Sequence, residues 1–267
     1  MALGQRVLVM GIVNVTPDSF SDGGVHLAAA DAVEAAHRMA TEGADILDIG
    51  GESTRPGHSV ISVDEEWARL APVFDQLERT DSNLPPVSID TWKAEVARRA
   101  LTRGAVIVND VWGFQRDPGI AAVTAESGAA AILMHNRDAI DTSIDIVDDI
   151  LRFLERSLDI ARRAGVTDDR IVLDPGIGFG KSFSQSFQTL AALPRLKALG
   201  FPVLLGLSRK GFIGSLADPA TPAAERLGGT VAGNVYGALA GADIIRVHDV
   251  APHVQALRML ARIEAAA

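Results

Sequence analysis

Along the chain, short apolar runs rich in Val, Ile and Leu alternate with longer Ala-rich stretches in which apolar residues recur at helical spacing. The runs predict strands at Val7–Val13, Asp45–Ile49, Val87–Ile89, Val106–Asn109, Ala130–His135, Ile171–Leu173, Val203–Leu207 and Asp243–Val247. The stretches between them predict helices at Ala28–Glu42, Asp64–Arg79, Lys93–Arg103, Pro118–Ser127, Asp145–Ala164, Phe187–Leu199, Ala223–Ala240 and Ala251–Ile263. The strand runs are nearly continuous in apolar character, the pattern of a parallel sheet covered on both faces. An open doubly wound sheet is the competing architecture. Eight β–α units in about 250 residues favour a closed (β/α)8 TIM barrel, read as one domain over residues 1–267.

Helix punctuation agrees. Gly43, Gly104, Gly128, Gly165, Gly200 and Gly241 each follow a helical stretch and precede a strand, where left-handed C-terminal caps belong. Four of them are followed by Ala, a weak internal repeat tied to the β–α unit.

Composition narrows the function classes. The 267 residues hold 25 Lys+Arg against 34 Asp+Glu, a formal charge of −9, which argues against a general nucleic-acid binder. No apolar run reaches the roughly 18 residues of a membrane helix and no signal-peptide pattern opens the chain, so a cytoplasmic protein with no membrane partner is expected. Cysteine is absent, which removes disulfides, thiolate zinc sites and thiol catalysis. Only four basic residues are lysines, Lys93, Lys181, Lys197 and Lys210, and two of these stand in Gly/Ser contexts.

A barrel places its chemistry at the C-terminal ends of its strands. There the chain carries Asn14, Glu52 to Gly57, Asp90, Asn109, His135, Asp174, Ser208 to Lys210, and Arg246 with His248. One Asp after a strand commonly caps the next helix, and Asp90 before Thr91-Trp92-Lys93 fits that reading. The convergence of Asp90, Asn109, Asp174, Lys210 and Arg246 on one mouth points instead to a ring of donors and acceptors. The acidic and amide groups accept from ring N–H and amino groups, and Lys210 donates to a ring carbonyl, as a 2-amino-4-oxo pyrimidine edge requires. Arg246 can stack on a flat ring or fork to a phosphate, and Arg246-Val247-His248 reads as an anion site.

The glycine-rich Gly176-Ile177-Gly178-Phe179-Gly180-Lys181-Ser182 ends like a phosphate-binding P-loop, but Pro175 stands at the required first glycine. It fails the dinucleotide pattern too, with Lys181 at the third glycine. Long polar loops follow the first two strands, of a composition that lets a loop move and close over a substrate. The Asn14 carbonyl is a hard oxygen suited to Mg²⁺ beside a diphosphate.

These segments resemble the dihydropteroate synthase family. The match runs in family order through Gly11 to Gly24, Asp48 to Gly57, Ser88 to Thr91, Asn109 to Val111, Asp174 to Lys181, Ser208 to Lys210 and Arg246 to Val250. The resemblance implies an enzyme, a transferase of folate biosynthesis. It joins 6-hydroxymethyl-7,8-dihydropterin diphosphate to p-aminobenzoate, giving 7,8-dihydropteroate and pyrophosphate through an S_N1-like displacement. By position it implies a pterin pocket of Asp90, Asn109, Asp174 and Lys210 with Met134, Phe179 and Gly206 as walls. Arg246 stacks near the pterin and binds the diphosphate with His248, while Thr54 and Arg55 help and Asn14 ligates Mg²⁺. Phe20, Thr54, Pro56 and Ser208 lie near the aminobenzoate, and the family is the target of sulfonamides. The resemblance also implies a homodimer, for which apolar positions around Val231–Leu239 and Val254–Ile263 offer a face. One departure is His135-Asn136-Arg137-Asp138, where many members carry Met-Gln-Gly after the histidine. Two rival readings are a methyltetrahydrofolate–corrinoid methyltransferase, which has no use for the Ser53-to-Gly57 loop or the Arg246–His248 pair, and a non-catalytic pterin-binding paralogue.

Overall fold

The computed structural model describes residues 4–15, 24–53, 60–80, 84–217 and 219–266, with backbone alone for 24–27 and Thr80. Eight parallel strands, β1 (Leu8–Asn14), β2 (Ile46–Gly50), β3 (Val87–Asp90), β4 (Ile107–Asp110), β5 (Ala130–Met134), β6 (Ile171–Asp174), β7 (Leu204–Leu205) and β8 (Ile244–Val247), form one sheet in the order β6-β5-β4-β3-β2-β1-β8-β7. A single bridge between Leu173 and Val203 joins β6 to the start of β7 and closes the ring. The expected (β/α)8 barrel is therefore the observed architecture.

The period of two along each strand sorts the apolar residues into two cores. Residues such as Leu47, Val108, Leu133, Leu173, Leu205 and Ile245 point outward and pack under the helices in one large cluster. Leu8, Met10, Ile46, Ile107, Ile132, Val172, Leu204 and Ile244 point inward and fill the barrel floor as a separate cluster. This is a packed interior, without a pore.

Around the sheet lie α1 (Gly24–Glu42), α2 (Val63–Thr80), α3 (Ala94–Leu101), α4 (Ile120–Ser127), α5 (Ile146–Ala164), α6 (Phe183–Ala191), α7 (Leu193–Lys197), α8 (Gly211–Gly214), α9 (Leu227–Leu239) and α10 (Val250–Glu264). All six glycines expected as C-terminal caps adopt positive φ, between 67° at Gly128 and 101° at Gly241.

Three expectations need correction. The helix expected at Phe187–Leu199 begins four residues earlier and is broken in two. Ser182 and Gln185 form a reciprocal capping box that fixes the start of α6. Pro194, with no N–H, sits in the first turn of a separate α7. The helix expected from Ala223 is a 3₁₀ turn, Ala223–Glu225, followed by α9, and the expected strand Val203–Leu207 pairs regularly only at Leu204–Leu205. The short α8 and a 3₁₀ turn at Asp168–Arg170 carry no periodic signal long enough to read.

Candidate active site

The site lies one inward step above the barrel floor. Two residues beyond Ile46, Ile107, Ile132, Val172, Leu204 and Ile244 stand Asp48, Asn109, Met134, Asp174, Gly206 and Arg246. Strand periodicity thus carries the same inward face from an apolar layer to a polar one. Asp90 ends β3 and joins this layer, so it is not a helix cap; Lys93 holds the N-cap position of α3, and the Ala94 N–H donates to Asp117 Oδ2 at 2.8 Å.

Arg246 organises the layer. Its Nε donates to Asp48 Oδ2 at 2.6 Å and its Nη2 to Asp90 Oδ2 at 2.6 Å. Asn109 Nδ2 donates to the same Asp48 oxygen at 3.0 Å. The fork of Arg246 is therefore engaged by carboxylates on one side, and Nη1 remains for a ligand. Asp48 Oδ1 and Asp90 Oδ1 are buried and have no hydrogen-bond partner among the described residues. Burial, with the nearby charges of Asp48, Glu66 and Asp110, raises the Asp90 carboxyl above the usual range, against the pull of Arg246. Burial likewise raises Asp174, opposed by Lys210 and by the Gly176 N–H that donates to its Oδ1 at 2.7 Å.

Lys210 approaches from the loop after β7. Its Nζ donates to Ile177 O and lies 4.4 Å from the centre of the Phe179 ring. Burial brings its pKa down from 10.5 to about 8, with Asp174 holding it up. Gly206 sits between Asp174 and Arg246: a Cβ there would lie 3.9 Å from each, so the missing side chain leaves room over the acidic layer.

The loop after β6 is pinned from behind by Lys181. This buried amine reaches His135 Nδ1 at 2.7 Å, Gly176 O at 2.8 Å and Phe179 O at 3.2 Å, three acceptors for its three N–H bonds. His135 then carries its proton on Nε2, which faces Asp149 Oδ2 at 3.2 Å. Burial and the Lys181 charge push His135 well below the ordinary imidazole range, so the ring is neutral. At Gly176 (φ 63°) a Cβ would come 1.8 Å from His135 O, so glycine is required where this loop crosses the β5 exit. The glycine-rich run is a packed strand exit and not a phosphate loop.

A second group lies at the β1 and β8 exits. Asn14, exposed, lines a cleft of about 290 Å³ with Arg38, Arg209 and His248. Ser208 Oγ accepts from the His248 backbone N–H at 3.2 Å and lies 2.9 Å from Nδ1. Arg209, at φ 57°, is tied to Asp249 at 2.9 Å through Nε.

The structure thus brings together Asp90, Asn109, Met134, Asp174, Phe179, Gly206, Lys210 and Arg246, and sets Asn14, Ser208 and His248 beside them. Phe20, Thr54, Arg55 and Pro56 lie outside the described residues. The structure gives two residues, Asp48 and Glu52, roles that the sequence reading did not assign. Asp48 lies inside an apolar run, where an acidic residue is itself the signal. Glu52 accepts from the Ile61 N–H at 2.9 Å, from Trp92 Nε1 at 3.0 Å and from Lys93 Nζ at 2.8 Å, and so ties the two described ends of the second loop to α3. A larger cleft of about 740 Å³, lined by Trp112, Arg116, Asn136 and Arg137 among others, holds none of the expected residues. Its Arg137 is already held by Asp149 at 2.6 Å.

A parallel barrel with a polar ring at the C-terminal mouth defines a small-molecule enzyme of the TIM-barrel class. Known proteins make the class specific. The family profile described as "Pterin binding enzyme" matches residues 10–248. A dihydropteroate synthase of Clostridium beijerinckii is 46% identical over 258 residues, 96% of this chain and 94% of that protein. A Clostridium difficile dihydropteroate synthase, solved with pteroic acid, superposes with a TM-score of 0.93 at 46% identity over 98% of both chains. A Xanthomonas albilineans dihydropteroate synthase with 4-aminobenzoic acid gives 0.92 at 45% identity, over 98% of this chain and 94% of that one. The chain belongs to the dihydropteroate synthase family of pterin-binding enzymes.

Proposed function

We infer that this chain performs the reaction of its family, condensing 6-hydroxymethyl-7,8-dihydropterin diphosphate with p-aminobenzoate. The observation that carries the reading is the polar layer. Three acceptor side chains, Asp90, Asn109 and Asp174, face one cationic donor, Lys210, across the space left by Gly206. The reading is supported by the relatives named above, whose bound pteroic acid and 4-aminobenzoic acid are the product-like and substrate halves of this chemistry.

Asp90, Asn109 and Asp174 accept from the ring N–H and amino groups, and Lys210 donates to the ring carbonyl. Met134 and Phe179 give the ring its apolar walls, with the Arg246 guanidinium plane beside it. The C–O bond to the diphosphate breaks and its electron pair leaves with the pyrophosphate. The electron-rich pterin delocalises the resulting cation, which makes the displacement S_N1-like. The neutral arylamine nitrogen then forms the C–N bond and loses a proton to solvent. Charge grows on the leaving group, and Arg246 Nη1, a ring N–H of His248 and Arg55 are the donors assigned to it. Ser208, hydrogen-bonded to His248, borders the aminobenzoate place with Phe20, Thr54 and Pro56.

Asn14 fits Mg²⁺ in a particular way. Arg38, Arg209 and His248 share its cleft, and among the described residues no cluster of three metal-ligating side chains exists. Such a site suits a cation that arrives with the diphosphate, taking most ligands from phosphate oxygens and water and one from Asn14. Bound there, Mg²⁺ supplies charge neutralisation on the leaving group.

The same reading takes the protein as a cytoplasmic homodimer. Among the described residues no helix is long and apolar enough to cross a membrane. Tyr236 and Leu239 of α9 and Met259 and Ile263 of α10 are exposed, an apolar face of the kind a second copy covers. Sedimentation at micromolar concentration checks it: a single species of 28.1 kDa would contradict it.

The test of the activity is pyrophosphate release from the purified protein with the pterin diphosphate and Mg²⁺, with and without p-aminobenzoate. Release matched by equal dihydropteroate supports the synthase. Pterin binding without turnover would move the reading to a binding paralogue.

A further inference from the structure

We propose that Asp48 is a specificity-determining positioning residue, which fixes the Asn109 amide with its oxygen toward the pterin edge and so makes the pocket select a 2-amino ring over a 2-oxo one. The inference rests on the reading that this pocket takes a pterin.

Asp48 is fully buried at mid-strand in β2. Its Oδ2 accepts from both Arg246 Nε at 2.6 Å and Asn109 Nδ2 at 3.0 Å. A side-chain amide has two faces of similar shape, one a donor and one an acceptor. Nothing in the shape of Asn109 chooses between them. A carboxylate chooses, because an ionised one only accepts: the Nδ2 group must face Asp48, and Oδ1 turns away from it. Arg246 donates to the same oxygen, so that oxygen is an acceptor toward both of its neighbours. The acceptor side of the pocket therefore consists of Asp90, Asn109 and Asp174 only while Asp48 stands behind Asn109.

Burial of Asp48 is poorly compensated as a stability device. Its Oδ1 has no hydrogen-bond partner among the described residues, and a buried unsatisfied oxygen costs free energy. The site gains a fixed polarity in return. A ligand carrying a donor at the edge meets an oxygen, and a ligand carrying an acceptor there meets lone pairs.

Calorimetric titration of 6-hydroxymethylpterin and of its 2-oxo counterpart, 6-hydroxymethyllumazine, tests this on the wild type, Asp48→Ala and Asp48→Asn. The wild type should prefer the amino ring. Asp48→Ala frees the Asn109 amide, so the preference should shrink by about tenfold or more, beyond any common loss of affinity. Asp48→Asn still offers a carbonyl oxygen to both donors and should restore most of the preference. A preference that is unchanged in Asp48→Ala overturns the role, whatever happens to affinity. A wild type that binds neither ring overturns the pterin reading and this inference with it, whereas a wild type that binds pterin separates the two.

Should Asp48→Ala not fold, the wild type alone answers through the side-chain NH₂ of Asn109 by NMR, assigned with Asn109→Ser. One proton held by Asp48 should be shifted downfield and exchange slowly. Two protons at ordinary side-chain amide shifts, neither protected from exchange, would overturn the proposal.

Discussion

The floor and the mouth of this barrel are built on the same strands, two residues apart, and differ in what they do. Ile46, Ile107, Ile132, Val172 and Ile244 fill the floor and are all but inaccessible. Asp48, Asn109, Met134, Asp174 and Arg246 continue the same inward faces at the mouth. Floor residues touch apolar neighbours, so their burial contributes to stability through transfer and packing. Mouth residues other than Met134 are charged or polar, and burial there raises Asp90 and Asp174 while it lowers Lys210. Stability and activity should therefore separate along each strand, except at Arg246, whose removal leaves two buried carboxylates without their cation.

Arg246→Ala should have the largest effect. It leaves Asp48 and Asp90 without their shared cation, so a loss of about 3–5 kcal/mol in stability is expected along with turnover. Denaturant unfolding and the pyrophosphate assay check the two together; a variant that keeps both would break the comparison. At the floor, Ile132→Ala should cost about 2–5 kcal/mol, with KM for both substrates unchanged below the melting transition. A shift in pterin KM would mean that floor and mouth are not separable. Lys210→Ala should show the reverse: a fall of about 10²–10³ in kcat/KM with little change in Tm.

A pH series sharpens the mouth further. Lys210 makes a charge-assisted hydrogen bond to a ring carbonyl only while it carries its proton. Its pKa is lowered, so the charge is lost sooner as pH rises, and pterin affinity should decline as pH passes about 8. On the acid side, Asp90 and Asp174 have raised pKa values, so they begin to gain protons above the usual carboxylate range, and affinity should fall there too. Calorimetry across this range would contradict the assignment if affinity stayed flat through pH 9. The smallest effect belongs to the opposite end of the barrel. Arg6 lies on the surface beside Asp45, with Nη1 2.8 Å from Oδ2, and Arg6→Ala should cost no more than about 1 kcal/mol and leave activity unchanged.

The same contrast explains what could be read in the sequence. The floor and the strand ends were legible because they alternate in type along one short run: Ile107-Val108-Asn109 and Ile244-Ile245-Arg246 state both the inward face and the chemistry at its top. The glycine caps were legible because few other residues adopt their backbone. Asp48 was passed over because its role is not set by its own strand; Arg246 lies 198 positions further on. The Lys181–His135 contact is hidden for the same reason, joining exits of β6 and β5 that are 46 positions apart. The α6–α7 break was missed because helical periodicity runs through Pro194, while the capping box at Ser182 outweighs it locally. Arg55 and its neighbours were singled out by motif alone.

A crystal structure with the pterin diphosphate bound tests the central claim most directly. The account predicts the pterin ring one layer above Ile46 and Ile132, its edge against Asp90, Asn109 and Asp174, its carbonyl on Lys210, and the diphosphate between Arg246, His248 and Asn14. A ligand found in the cleft beside Trp112 and Arg116, with that layer left empty, would contradict it.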